Sequence, residues 1–68
     1  MNDDDLVLDG ETRRKLRHDL RTPLTIVAGF AEVLAADRPL SDEDRRDFAT
    51  RIVTAAGEIR DLIDRALE

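Results

Sequence analysis

Three features of these 68 residues predict an all-α fold, an antiparallel two-helix hairpin that pairs with a second copy into a four-helix bundle. Apolar residues recur at helical spacing through two long stretches. One short break, Arg38-Pro39-Leu40-Ser41, separates them, so the two helices lie side by side. Each stretch carries more than one apolar seam, and a lone hairpin covers only one seam per helix.

Met1 to Gly10 holds Asp3, Asp4, Asp5 and Asp9 and no base, and reads as a flexible acidic arm, with Asp9 or Thr12 available to cap the first helix. Helix one runs from about residue 11 to about 36. At about 100° per residue, Leu16, Leu20, Leu24, Val27, Ala31 and Leu34 fall within roughly 80° on one face, with Ile26, Phe30 and Val33 as a flanking stripe. Pro39 ends the helical geometry, because its predecessor is pushed to extended backbone. Helix two runs from about 42 to about 67, opened by Ser41 as N-cap and by Asp42, Glu43 and Asp44 at the positive end of the helix dipole. Its seam is Phe48, Ile52, Ala55, Ile59, Leu62 and Ala66, in alternating steps of four and three, beside a second seam of Val53, Ala56, Ile63 and Leu67. The dimer core is therefore expected from Leu16, Leu20, Leu24, Val27 and Leu34 with Phe48, Ile52, Ile59 and Leu62, the chain acting as a homodimer. The pairs Glu11–Lys15, Asp42–Arg46, Asp47–Arg51 and Asp61–Arg65 have the acid first at i,i+4, the arrangement that supports an exposed helix.

Composition narrows the function. Chains of this size bury only about 60% of their unfolded surface, which favours help from a partner. There is no cysteine to staple the fold, which fits a reducing, cytoplasmic setting. Sixteen acids against eleven bases give a net charge of −5, which argues against a nucleic-acid partner. No apolar run reaches the roughly 20 residues of a membrane span, so no membrane contact is expected of this segment. One histidine without cysteine cannot supply a usual metal-ligand set.

That histidine, His18, is the centre of interest. It points roughly 170° from the middle of the apolar stripe of helix one, into solvent. Arg21 at i+3 and Thr22 at i+4 flank it, and Asp19 borders the same strip. Neutral imidazole is a nucleophile near neutral pH, and a carboxylate that accepts one ring N–H leaves the other nitrogen free to attack. Arginine and hydroxyl groups orient phosphoryl oxygens, since phosphoryl transfer depends mainly on positioning and charge stabilisation. Arg13, Arg14, Lys15, Arg17 and Arg21 surround the motif as a basic patch suited to an acidic donor or partner pocket. Pro23 removes one helical hydrogen bond and predicts a bend beside His18, either within one long helix or at the start of a second; the apolar stripe stays in phase from Leu16 to Leu34, which favours one helix.

The run His18-Asp19-Leu20-Arg21-Thr22-Pro23-Leu24 resembles the phosphoacceptor motif of bacterial sensor histidine kinases, and residues 12–68 resemble their dimerisation and histidine-phosphotransfer domain. The resemblance implies that His18 takes a phosphoryl group from ATP and passes it to a response-regulator aspartate. It further implies that Asp19 is the general base, that Thr22 positions water for dephosphorylation, that Arg21 orients the phosphoryl group and that Pro23 supplies the bend. ATP and Mg would sit on a separate histidine-kinase ATP-binding domain, because this chain has no Gly-rich nucleotide box and is not a complete kinase alone. The partners implied are that domain and a response-regulator receiver domain. The chain departs from the family at Arg17, where a small polar residue is common, and at Arg13-Arg14-Lys15, where an aromatic or aliphatic residue is usual upstream. A catalytically idle dimerisation or docking scaffold of the same fold is the alternative; a helix-turn-helix nucleic-acid binder is opposed by two long, equal helices and the acidic total.

Overall fold

The computed structural model describes residues 9–68; the acidic-arm reading of residues 1–8 lies outside the described residues. Two helices, α1 (Gly10–Ala35) and α2 (Asp42–Ala66), pack on one another as an all-α hairpin 47 × 21 × 16 Å in extent. They run antiparallel. Leu16 near the start of α1 lines a cleft with Leu62 and Ala66 near the end of α2, and Phe30 near the end of α1 stacks on Phe48 near the start of α2.

Local chemistry sets each helix end. Asp9 is extended and its carboxylate accepts the Thr12 backbone N–H at 2.7 Å, so Asp9, of the two capping candidates, caps α1. Those bonds from Thr12 hold the Asp9 carboxyl below its ordinary pKa of 3.8. At the far end, the Ala36 N–H donates to the carbonyls of Glu32 and Val33 at 3.0 and 3.3 Å. Ala36 itself turns extended, and the chain leaves toward Pro39. Ser41 caps α2 by accepting the Asp44 N–H at 3.0 Å, with Asp42, Glu43 and Asp44 in the first turn and Arg65 in the last.

The interface is thin. Among the described residues, only Pro23 and Ala55 are buried, Ala55 being 2% exposed. On α2 the half-buried residues Phe48, Ile52, Ile59, Leu62 and Ala66 fall with Ala55 on the seam expected from the alternating spacing. On α1 the expected division of faces needs correction. Ile26 and Phe30, read as a flanking stripe, turn toward α2 and are half-buried beside Leu16, Leu20, Val27 and Leu34. Leu24 and Ala31, read as part of the main stripe, are exposed, Leu24 by 51%. The face that meets α2 is thus rotated by roughly 60° from the expected one. The reason is aromatic: Phe30 and Phe48 approach to 5.2 Å between ring centroids, a contact worth about 0.5–1.5 kcal/mol beyond its area, and they draw that edge of α1 inward. The Arg51 guanidinium lies 5.6 Å over the Phe30 ring and covers the pair from outside.

Leu24, Val53, Ile63 and Leu67 remain exposed by 51, 70, 38 and 52%. On helices turning about 100° per residue in an antiparallel pair, these four fall on one side of the hairpin, while Val33 and His18 fall on the other. Three of the four expected surface pairs differ as well, Glu11–Lys15 forming no ion pair among the described residues. Asp42 meets Arg45 at 3.2 Å instead of Arg46, and Asp61 approaches Arg60 at 3.9 Å instead of Arg65, while Asp47–Arg51 forms at 3.1 Å. Exposed pairs contribute only a few tenths of a kcal/mol, so neighbouring arginines exchange places at little cost.

Candidate functional site

His18 stands in the middle of the first half of α1, with its side chain 86% exposed. Its Nδ1 lies 3.4 Å from Asp19 Oδ1. That separation exceeds the usual 2.9–3.0 Å of a full N–H···O bond by about 0.4 Å, so the contact is loose. In the tautomer that carries the proton on Nδ1 toward Asp19, the lone pair is on Nε2 of this largely exposed ring.

Asp19 borders the exposed strip, as its spacing implies, at the edge nearer α2. Its side chain is only 35% exposed. It lines an open cleft of about 270 Å³ with Thr12, Lys15, Leu16, Leu62, Arg65 and Ala66. Asp19 sits three residues after Leu16 and four before Pro23, and helical neighbours share a face; that spacing was the signal by which its half-burial could have been found. The carboxylate therefore stands between the imidazole and the α1–α2 seam. The same cleft brings Leu62, Arg65 and Ala66 of α2 to its side, residues that sequence spacing around the motif did not single out.

Arg21 and Thr22 are exposed on the same side as His18. The Thr22 hydroxyl makes no hydrogen bond among the described residues, whereas the Thr25 hydroxyl donates to the Arg21 carbonyl at 2.8 Å. Thr22 is thus free to engage a water or phosphoryl oxygen, and Thr25 is committed to the backbone. Pro23 is buried against α2, and α1 continues through it as one helix. It offers no N–H to the carbonyl of Asp19, four residues back, beside His18.

The whole hairpin, residues 11–68, matches the model of the His Kinase A (phospho-acceptor) domain. This chain belongs to that family. The phospho-acceptor domain is also similar to the sensor histidine kinase YcbM of Bacillus subtilis (strain 168), with 31% identity over 49 residues. That match covers 72% of this chain and 16% of the relative, so the chain spans about a sixth of the curated relative. No solved structure matches the chain significantly. The chain is accordingly a phosphoacceptor and dimerisation module of the two-component sensor-kinase type. No helix among the described residues of this domain is long and apolar enough to cross a membrane.

Proposed function

We propose that His18 receives a phosphoryl group from ATP bound on a separate histidine-kinase catalytic domain and passes it to the aspartate of a response-regulator receiver, in the cytoplasm. The observation that carries this reading is the imidazole itself: 86% exposed, inside the family's motif, with Nδ1 directed at a carboxylate and Nε2 open. In the first step the Nε2 lone pair attacks the γ-phosphorus, the bond to the β,γ-bridging oxygen breaks, and ADP leaves with that electron pair. The proton on Nδ1 passes to Asp19, the general base, which prevents a cationic ring from expelling the phosphoryl group. In the second step a receiver carboxylate oxygen attacks the same phosphorus and the electron pair returns to Nε2. Arg21 orients phosphoryl oxygens in both directions, and Thr22 positions the water that dephosphorylates the receiver. ATP and Mg belong to the separate domain.

Two surfaces of the hairpin serve partners in this reading. Leu24, Val53, Ile63 and Leu67 face a second copy, and their burial completes a four-helix bundle. The receiver approaches the opposite side, because its aspartate must reach Nε2. There, Ile26, Phe30 and Ala55 floor a groove of about 460 Å³ ringed by Thr50, Arg51, Thr54 and Glu58. A small apolar floor with a polar rim is the composition of a transient protein interface.

The test treats the chain and a His18→Gln control with phosphoramidate, then measures intact mass and phosphorus NMR. An acid-labile adduct on His18, absent from the control and discharged on adding a receiver domain, is the expected result. A folded dimer that takes no phosphoryl group would favour the idle scaffold.

A further inference from the structure

We propose that Arg14 and Lys15, acting with Arg21, form the phosphoryl-binding surface of His18 and hold the PO₃ oxygens both during transfer and on the phosphorylated ring. This rests on His18 being the phosphoacceptor, and it extends that reading to two residues upstream of the motif.

Arg14, Lys15 and Arg21 stand at i−4, i−3 and i+3 from His18, the positions whose Cβ atoms lie about 5–6 Å from its own on a helix surface. Arg14 and Arg21 flank the imidazole on one side and Lys15 on the other, so a group on Nε2 is bracketed by three cations on flexible stems. All three residues are exposed.

These charges are also uncommitted. The arginine–carboxylate pairs at Arg45, Arg51 and Arg60 all lie on α2. Arg14, Lys15 and Arg21 make no ion pair or side-chain hydrogen bond among the described residues, although Glu11 lies at the i,i+3 and i,i+4 spacings from Arg14 and Lys15. Asp19, four residues after Lys15, is turned toward His18 and the cleft. Between Gly10 and Leu24 the chain carries five bases and two acids, in a protein whose net charge is −5. The only concentrated positive field of an acidic chain therefore surrounds its one histidine, where a dianionic group must arrive.

In phosphoryl transfer, charge develops on the equatorial oxygens, and cations fixed beside them lower the barrier more than any covalent contribution of the protein. The same cations, once a phosphoryl group is on Nε2, form charge-assisted hydrogen bonds to its oxygens.

The experiment uses phosphoramidate as the probe, with the full chain. An Nε2–phosphorus bond forms, the donor's phosphorus–nitrogen bond breaks with its electron pair going to ammonia, and the ring proton leaves through Asp19 or water. The variants are Arg14→Gln/Lys15→Gln and the charge-preserving Arg14→Lys/Lys15→Arg, with helical CD and dimer mass recorded for each. The charge-removing variant is expected to form the His18 adduct about tenfold more slowly, while the charge-preserving one stays within about twofold of the parent. Raising salt should slow the parent much more than the charge-removing variant, a response that a purely structural role would not give. Equal rates and equal salt dependence in parent and charge-removing variant, with the adduct forming normally on His18, would overturn the proposal and leave the acceptor reading standing. Failure of the parent to form any adduct would instead remove the acceptor reading itself, and this proposal with it.

Discussion

Val53→Asp separates the hairpin from the dimer, because Val53 is 70% exposed in the single chain and its helical position lies off the Phe48–Ala66 seam. Full burial of a valine side chain is worth about 1.5–3 kcal/mol, so the exposed fraction leaves about 1–2 kcal/mol for a partner to recover. A twofold interface uses the residue twice, giving about 2–4 kcal/mol per dimer. The introduced carboxylate must also lose water against the partner's Leu24, Ile63 and Leu67 or take up a proton, which adds to the penalty. At about 1.4 kcal/mol per decade, the dimer dissociation constant should rise by roughly two to four orders of magnitude. Sedimentation equilibrium at tens of micromolar should then find mainly monomer, and helical CD should show a marginal hairpin with a lower melting temperature. Ile59→Asp is the contrast: Ile59 is half-buried in the seam within each hairpin, so the charge should abolish helical structure as well as the dimer. If Val53→Asp remained dimeric at these concentrations, Leu24, Val53, Ile63 and Leu67 would not be the dimer face, and the rotated assignment of α1 would lose its functional meaning.

Further outcomes are expected from single sites. A Cβ added at Gly29 or Gly57 meets nothing within 4 Å, and both lie inside helices, so Gly29→Ala and Gly57→Ala should each stabilise by about 1 kcal/mol; a lower thermal midpoint for either would mean that another chain packs there. Asp9 has its pKa depressed by the bonds from Thr12, so its capping contribution is present above the ordinary value of 3.8 and is lost as pH falls through the lower folded value. Amide exchange in the first turn of α1 should accelerate over that acid range in the parent, and Asp9→Asn should flatten the response; identical profiles would assign the acid sensitivity elsewhere. Thr22→Ala should reduce dephosphorylation of a receiver while leaving adduct formation on His18 intact, read by phosphorus NMR, and an equal loss of both would place Thr22 in the acceptor step.

The hairpin, the helix ends and the solvent-facing place of His18 were legible in the sequence, because these depend on short-range chemistry. Ser41 and Asp9 cap through their own side chains, Pro39 forbids continuation, and the alternating spacing from Phe48 to Ala66 marks a face that any partner helix would cover. His18 is solvent-facing on any helix whose leucines face inward, whichever way that helix is finally turned. Which of two overlapping apolar stripes on α1 meets α2 was settled only when the helices packed. Leu24 and Ile26 are equally apolar, and the choice was made by a contact between Phe30 and Phe48, eighteen residues apart along the chain, which no local period contains. The same rotation half-buried Asp19 in a cleft it shares with Leu62, Arg65 and Ala66 of α2, a helix that begins more than twenty residues after it. Helical periodicity dictates which residues share a face, while the energy that selects among faces comes from side chains meeting across the hairpin.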